Sequence, residues 1–267
     1  MNRKAFIYKN NKELSIETAK EVRAILEAHG YELKLDYPDE CDVAVCVGGD
    51  GTLLGMLHNC NFPKVPIIGV NTGKLGFFQD ALPENFEDLL SSFEEGSCKI
   101  QTIRLIEAVI KTSDDIYHLT GVNDFLIRGP LSCVSQFGVA IGDTQIQNIS
   151  GDGLLVSTPV GSTAYNYSLD GSIVAPNLNV LQLTPVAPMN TSAYRCFHSS
   201  IILPADQKIR IKGIDRSANG SIIISYDGRI QEFDSVSDIT INQSDKLISL
   251  VRFQNYDYWK KLTSKLL

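Results

Sequence analysis

The sequence predicts an α/β N-terminal domain with a Rossmann-like parallel sheet, followed by an all-β C-terminal domain built as an antiparallel sandwich. In the first hundred residues, continuously apolar strand patterns alternate with helical ones, which is typical of a parallel sheet covered on both faces. Beyond that point, apolar runs rich in β-branched residues are separated by turn signals such as Asn219-Gly220 and Asp227-Gly228, as in antiparallel sheets. We expect domains at 1–100 and 101–250, with 251–267 packing back on the first, and an active site in the cleft between the two domains.

Four strands and three helices are expected in the first domain. The strands are Ala5–Tyr8, Tyr31–Leu35, Val43–Val47 and Pro66–Val70. In the first helix Ser15 is a candidate N-cap, apolar residues recur at helical spacing, and Gly30 follows the end. The second helix, from Thr52 to about Asn59, comes after a glycine-rich turn. Pro83 opens the third helix, which ends before Gly96.

The second domain is expected to consist mainly of short strands. They are Ile103–Ile110, Val122–Ile127, Phe137–Ile141, Leu154–Ser157, Ile201–Leu203, Ile209–Ile211 and Ile222–Ser225. A short helix is expected after Ser162. The last segment, YDYWKKLTSKLL, fits a closing helix. Its lysines either meet a membrane surface or, in the interpretation that we favour, lie near the helix dipole while the helix packs on the first domain.

Composition argues against several classes of protein. The formal net charge of −7 gives no reason to expect nucleic-acid binding, which normally needs a basic face. The six cysteines form no CxxC pair and do not cluster with the four histidines, so we expect free thiols in a reducing cytoplasm rather than zinc or disulfides. The chain lacks a run of the roughly 20 apolar residues that span a membrane, and its start lacks the apolar stretch of a signal peptide. We therefore expect a cytoplasmic protein that binds neither nucleic acid nor membranes.

A glycine-rich turn lies between the third predicted strand and the second helix. Gly48, Gly49 and Gly51 allow a sharp turn and leave no Cβ to block a phosphate. The amides of this turn, up to Thr52, can point at an anion with the helix dipole behind them. Asp50 is unexpected there, because a carboxylate repels phosphates unless it holds a metal ion or orients and deprotonates a hydroxyl. The alternative is a purely structural turn in which Asp50 caps the helix.

Several motifs together carry a resemblance to a known family. GGDGT at 48–52 is shared by a group of kinases that includes NAD kinases, phosphofructokinases and the diacylglycerol and sphingosine kinases. GVNTGKLGFF at 69–78 resembles the NTGxLGF signature of NAD kinases. GDGLLVSTPVGSTAYNYSLDG at 151–171 resembles their GDGxxxSTPxGSTAYxxSxxG hallmark. VND at 122–124 resembles the family's Asn-Glu pair, and with SYDG at 225–228 the resemblance spans nearly the whole chain.

In the first domain, the resemblance implies that Asp50 meets the 2′-hydroxyl of the adenosine ribose as base or orienting group. The nucleotide-binding positions implied here are Gly49, Gly51, Thr52, Asn71, Lys74 and Phe77. Phe77 either packs against the dinucleotide or is a core aromatic. Ser150 stands where many bacterial members carry an arginine that serves the diphosphate, and Lys74 or Arg128 are candidates to replace it.

In the second domain, Asn123 and Asp124 occupy the position implied to hold adenine and ribose. The Asp124 carboxylate reaches one methylene less far than glutamate, and an unpaired surface carboxylate is the alternative. Contacts to nicotinamide, adenine and ribose are implied for Asp152, Thr163, Ala164, Tyr165 and Ser168. A packing role is the alternative for Tyr165. Asp227 either lies near the phosphates or is a hairpin-turn aspartate.

The resemblance thus implies a kinase that uses ATP and Mg²⁺, or another divalent metal, to phosphorylate NAD to NADP, with the γ-phosphoryl group placed on the adenosine ribose. Polyphosphate is a possible second donor, and the edges of the β domain suit a homo-oligomer, a dimer or tetramer. Two other functions stay open: a GGDGT kinase that acts on a lipid or sugar, and a non-catalytic dinucleotide sensor.

Overall fold

The computed structural model describes residues 3–34, 38–73, 76–130, 134–190, 195–213 and 221–266. The chain forms two compact units, Met1–Ile103 with Lys246–Leu267, and Arg104–Asp245. The chain passes into the second unit within strand β5 (Lys99–Lys111) and returns to the first within β16 (Asp238–Arg252).

The first unit is an α/β layer structure. Its other elements are β1 (Arg3–Lys9), α1 (Glu13–Ala28), β2 (Tyr31–Lys34), β3 (Val43–Val47), α2 (Asp50–Asn59), β4 (Pro66–Val70), α3 (Phe86–Glu94) and α5 (Tyr258–Leu266). The strands pair in parallel in the order β2-β1-β3-β4, and the end of β16 lies parallel to β4. Every residue of β3 is buried, as expected of a central parallel strand covered on both faces. The prediction of a parallel α/β sheet is therefore confirmed.

The prediction that Ser15 caps α1 is wrong. The helix begins at Glu13 with Lys12 at its N-cap position, and an acidic residue in the first turn suits the helix dipole. Ser15 lies inside the helix, is buried, and shares a 2.7 Å hydrogen bond with the hydroxyl of Thr72.

The second unit is an antiparallel β sandwich. Its remaining elements are β6 (Ile116–Gly121), β7 (Asp124–Arg128), β8 (Ser135–Ile141), β9 (Thr144–Gly151), β10 (Gly153–Ser157), α4 (Tyr165–Ser168), β11 (Val180–Val186), β12 (Ile201–Pro204), β13 (Ile209–Gly213), β14 (Ile222–Tyr226) and β15 (Arg229–Phe233). One sheet has the order β12-β11-β10-β7-β14-β15. Strands β16, β13, β8 and β9 pair antiparallel in the other, as do β5 and β6. Side chains from both sheets form one buried cluster, so the predicted sandwich is confirmed.

Strands β6, β9 and β11 of the second unit were not predicted from the sequence. Half of β6 and most of the first part of β9 are exposed, so their apolar pattern is short and interrupted. Strand β11 is almost fully buried but contains Pro185, which argues against a central strand in sequence.

Of the two predicted hairpin turns, one can be described. Tyr226 pairs with Arg229 across a two-residue turn, and its residues Asp227 and Gly228 have φ angles of 47° and 79°, as expected for Asp-Gly in a hairpin. The Asn219-Gly220 turn and Leu35 lie outside the described residues. In the part of the chain that the structure describes, no helix is both long and apolar enough to cross a membrane.

Candidate active site

The turn after β3 is shaped by Gly48. Its φ is 151°, and a Cβ there would lie 2.3 Å from the Thr52 hydroxyl oxygen, so only glycine fits. Its N–H donates to the Val70 carbonyl over 2.9 Å, which ties the turn to β4. A Cβ at Gly49 or Gly51 would meet no atom within 4 Å. The turn therefore has open space at the positions that were predicted to face a phosphate.

Asp50 is the first residue of α2, while Gly49 holds the N-cap position. The helix thus begins two residues before the predicted Thr52. The Asp50 carboxylate accepts the backbone N–H groups of Phe77 at 2.9 Å and Phe78 at 3.0 Å. The structural interpretation of Asp50 as the helix cap is therefore wrong, because the carboxylate turns away from the helix amides to another loop.

Arg252 holds the other side of this loop. Its buried guanidinium donates to the carbonyls of Phe77 at 2.9 Å and Phe78 at 2.8 Å, and to the Gln101 side chain at 2.8 Å. The peptide unit that joins Phe77 to Phe78 therefore has its carbonyl on Arg252 and its N–H on Asp50. Because both ends are bonded, the carboxylate of Asp50 is held in one orientation.

Lys261 of α5 is the second buried cation at this loop. It donates to the Gln79 carbonyl and lies 3.5 Å from the Asp80 carboxylate. Burial, reinforced by the nearby Arg252 charge and opposed by Asp80, lowers the pKa of Lys261 to about 8. Arg252 and Lys261 thus anchor the loop to the C-terminal segment.

Gly76 lies against Asp50, and Gln79 lies close to Gly76. A Cβ at Gly76 would lie 2.1 Å from Asp50 Oδ1, so a side chain there would displace the carboxylate. The Gln79 side chain is fully buried, and both of its amide atoms lack a hydrogen-bond partner among the residues that the structure describes.

The predicted crevice residues have different surroundings. Asn71 is buried and bonds the backbone of Gly73 through both its amide nitrogen, at 2.9 Å, and its oxygen, at 3.3 Å. Phe77 is only partly buried, with its ring 6.1 Å from that of Tyr258, so it is not the core aromatic of the alternative. Lys74 lies outside the described residues.

In the second unit, the backbone of the Asn123 segment is held from two sides. Asp227, in the β14–β15 turn, accepts the N–H groups of Val122 at 2.7 Å and Asn123 at 2.9 Å. Thr158, from the hallmark segment, donates its hydroxyl to the Val122 carbonyl over 2.7 Å. A Cβ at Gly161 would lie 2.0 Å from the Asn123 carbonyl oxygen. The structure therefore brings together Asn123 and the hallmark segment, with Asp227 in its hairpin turn as support.

Asp124 is the first residue of β7 and only 8% exposed. It is therefore not the surface carboxylate of the alternative. Burial, with a further contribution from the Asp227 carboxylate, raises the pKa of Asp124 to about 7, because both effects disfavour its charged form.

The hallmark segment is anchored by a residue that the sequence analysis passed over. Asn166 is fully buried, accepts the Thr184 hydroxyl at 2.8 Å and donates to the carbonyls of Ser162 and Ser172, both at 3.2 Å. Its neighbour Tyr165 is 44% exposed, so its ring is accessible to a ligand.

The other predicted residues of this segment flank β10: Asp152 precedes it, Thr163 ends a 3-10 helix after it, Ala164 follows that helix, and Ser168 ends α4. Asp152 and Ser168 are exposed, while Thr163 and Ala164 are partly buried. Gly151 and Gly153 shape the chain as predicted, since a Cβ there would lie 2.8 Å and 2.5 Å from the carbonyl oxygens of Val186 and Ile127. Ser150 is buried.

The cations of the C-terminal segment were not among the site residues predicted from the sequence. A signal existed in α5, where Lys261 and Lys265 are four residues apart and therefore lie on one face of the helix. Lys265 lies 3.1 Å from Asp50 Oδ2. Arg252 had no comparable signal, since it is the polar end of an apolar strand.

An open glycine turn at the head of a helix suits a phosphate, and a carboxylate beside it can orient an attacking hydroxyl, so the arrangement fits a phosphotransferase. The ATP-NAD kinase N-terminal domain family matches residues 34–98, and the ATP-NAD kinase C-terminal domain family matches residues 123–253. The chain is 33% identical to an NAD kinase of Finegoldia magna over 264 aligned residues. This alignment covers 98% of this chain and 97% of that relative. It is 31% identical to an NAD kinase of Clostridium botulinum, over 85% of this chain and 78% of the relative.

Two solved structures have the same fold. Yeast NADH kinase complexed with NADH superposes with a TM-score of 0.85 at 21% identity, over 99% of this chain and 87% of that one. An NAD kinase from Archaeoglobus fulgidus in complex with ATP superposes with a TM-score of 0.78 at 25% identity, over 98% of each chain. The chain therefore belongs to the NAD kinase family.

Proposed function

We propose that this protein transfers the γ-phosphoryl group of ATP to the 2′-hydroxyl of the adenosine ribose of NAD, producing NADP. The observation that carries the proposal is the Asp50 carboxylate, held by two loop amides beside a glycine turn with open space. It is supported by relatives named NAD kinase that match nearly the whole chain, and by one in complex with ATP.

In this mechanism Asp50 orients the 2′-hydroxyl and accepts its proton as the oxygen attacks the γ-phosphorus. General-base help of this kind is worth about 10²–10⁴ in rate. The amides of Gly49 and Gly51, at the head of α2, hold the phosphates with the helix dipole behind them. The N–H of Thr52 already donates to the Gly49 carbonyl at 2.9 Å, so it is not assigned a phosphate contact. Because the loop that fixes Asp50 is bonded on both sides, the reacting groups meet in a fixed geometry.

The polar residues of the second unit are proposed to bind the nucleotide. Asn123 and Asp124 hold adenine and ribose, and further contacts come from Asp152, Thr163, Ala164, Tyr165 and Ser168. Asp227 is proposed to act by positioning this segment, since its carboxylate already accepts two backbone N–H groups. The roles of Asn71, Lys74 and Phe77, the domain bounds 1–100 and 101–250 and the cleft site remain predictions.

Mg²⁺ is proposed as the metal of the reaction. No group of three or more His, Cys, Asp or Glu side chains that could hold a metal occurs among the described residues. Mg²⁺ usually keeps several waters and is bound in part by substrate phosphates, so the residues fit an ion that ATP would bring and that phosphates and water would largely hold, with no described side chain assigned to it. The bound ion supplies charge neutralisation on the phosphates.

We also propose a cytoplasmic homo-oligomer, a dimer or tetramer. Ile230 on the edge strand β15 is 72% exposed, and exposed apolar edge strands favour association. The five cysteines that the structure describes are free thiols, as expected in a reducing compartment. Light scattering after size-exclusion chromatography tests the first proposal, and a monomer at micromolar concentration would contradict it.

The main experiment is an NADP-formation assay with ATP and polyphosphate run side by side, with labelled ATP offered to lipids and sugars in parallel. NADP formed from ATP is the expected result. Label in a lipid or sugar but not in NAD would favour another GGDGT kinase. NAD binding by calorimetry without NADP formation would favour a sensor. Polyphosphate is proposed as a second donor, because the amides of the glycine turn would need to meet only phosphate groups.

A further inference from the structure

The ammonium group of Lys265 shares the Asp50 carboxylate with the loop amides. Lys265 lies in the last turn of α5. Its Nζ is 3.1 Å from Asp50 Oδ2 and 4.3 Å from the centroid of the Phe77 ring. The side chains of Lys265 and Asp50 are 32% and 26% exposed, so a ligand can reach the pair.

The Asp50 carboxylate has few acceptor positions left. Each carboxylate oxygen has two lone pairs. Oδ2 accepts the Phe77 N–H and the Lys265 ammonium, while Oδ1 accepts the Phe78 N–H and faces Gly76, where a Cβ would lie 2.1 Å away. A hydroxyl that bonds to this carboxylate must therefore arrive beside the ammonium group of Lys265 or exchange places with it.

We propose that Lys265 is a second catalytic residue of the phosphoryl transfer, whose ammonium group donates to Asp50 and to a non-bridging oxygen of the transferring phosphoryl group. This inference rests on the function proposed above. An ammonium has three N–H donors; Asp50 takes one, and the Phe77 ring covers another direction. A hydroxyl oxygen about 2.8 Å from Oδ2 lies next to a cation that is 3.1 Å from the same atom.

In the reaction, the 2′-oxygen forms a bond to the γ-phosphorus while the bond from that phosphorus to the β–γ bridging oxygen breaks. ADP leaves with the electron pair of the broken bond, and the hydroxyl proton passes to Asp50. Lys265 stays protonated throughout. Its charge stabilises the negative charge that the phosphoryl oxygens carry in the transition state.

Lys265 is not needed to hold α5 in place. The helix is anchored by Lys261, which bonds the Gln79 carbonyl, and by the buried Leu262. Partly exposed ion pairs such as Lys265–Asp50 contribute little to stability. Loss of the ammonium group should therefore affect turnover and leave folding intact.

The test compares Lys265→Met and Lys265→Arg with Lys260→Met, a control at an exposed lysine of the same helix. We expect Lys265→Met to lower kcat by about 10²-fold, as for loss of one transition-state donor, with the KM for NAD changed less than about threefold. Lys265→Arg should recover part of kcat, and Lys260→Met should match the wild type. Melting temperatures should agree within about 2 °C. If Lys265→Met does not fold, Lys265→Gln replaces it.

A kcat of Lys265→Met within twofold of the wild type would overturn the inference. A raised kcat would also overturn it, because it would mean that Lys265 blocks the substrate position and must be displaced. In the combined Asp50→Asn, Lys265→Met variant, kcat should fall by much less than the product of the two single fold-losses, because both residues act on the same phosphoryl transfer. A kcat that falls by the full product of the two fold-losses would count against a shared site. A wild-type protein that forms no NADP refutes the proposed function itself, whereas an active wild type with an equally active Lys265→Met refutes only the role of Lys265.

Discussion

Asp50 and Asp124 are the same residue type in opposite surroundings. Asp50 receives two backbone N–H groups and an ammonium group. Asp124 is buried near a second carboxylate, Asp227, and its pKa rises to about 7. The three donors fix the orientation of the Asp50 carboxylate, whereas burial and a like charge favour the neutral form of Asp124. The same residue type is therefore held in position at one place in the fold and changes charge near neutral pH at the other.

The largest expected effect comes from Asp50→Asn. An amide keeps the shape of the carboxylate but cannot accept the hydroxyl proton, so kcat should fall by about 10²–10⁴-fold. A coupled NADP assay measures kcat, and circular dichroism checks the fold. Asp88→Asn, at an exposed position of α3, serves as the control. Full activity of Asp50→Asn would end its assignment as the base.

Gly76→Ala tests whether the orientation of Asp50 matters as well as its charge. The new Cβ would lie 2.1 Å from Oδ1, so the carboxylate must move, and a displacement of about 1 Å can cost about 10²-fold in rate. Gly73→Ala is the matched control, since a Cβ there meets no atom within 4 Å. Equal kcat values for Gly76→Ala and Gly73→Ala would show that displacement of the Asp50 carboxylate does not slow the reaction.

Arg252→Met tests the support behind Asp50. The variant leaves the carbonyls of Phe77 and Phe78 without their donor in a buried place, so the free energy of unfolding should fall by about 3 kcal/mol. Urea denaturation measures it. Arg23→Met, which removes an exposed partner of Glu27, should change it by less than about 0.5 kcal/mol. Unchanged stability of Arg252→Met would mean that the loop is held without the guanidinium.

Taken per pH unit, the smallest effect is the pH dependence that Asp124 contributes to the free energy of unfolding. Its pKa is raised in the folded state, from 3.8 to about 7, so the native protein keeps a proton that the unfolded chain releases in this range. The wild type should therefore lose stability relative to Asp124→Asn as pH rises from about 4 to 7, by on the order of 1 kcal/mol per pH unit. Urea denaturation between pH 4.5 and 8 measures the difference. If the free energy of unfolding varied with pH in the same way in the wild type and in Asp124→Asn, the pKa of Asp124 would not be raised in the folded protein.

Much of the fold was predictable because it depends on short stretches of chain. The run Val43–Val47 is continuously apolar and became a fully buried strand. The turn Asp227-Gly228 needs positive φ angles, which this pair accepts. The polar strand β9 was missed, because half of its residues face solvent and leave little apolar pattern.

The site was predictable only where a motif carries it. Asp50 was recognised from its glycine neighbours, and Asn123 from the resemblance. Lys265 was not assigned to the site, because it lies 215 residues from Asp50 along the chain. Asn166 was passed over, because a polar residue in a short helix gives no sign that it will be buried.

The amino-acid sequence by itself determined the two-part architecture, the glycine turn and the family, since these follow from local periodicity, backbone freedom and contiguous motifs. Only the tertiary structure decided the surroundings of each carboxylate: three donors around Asp50, and burial beside Asp227 for Asp124. The physical reason is that charge state and orientation depend on groups that are distant in sequence and become neighbours only when the chain is folded.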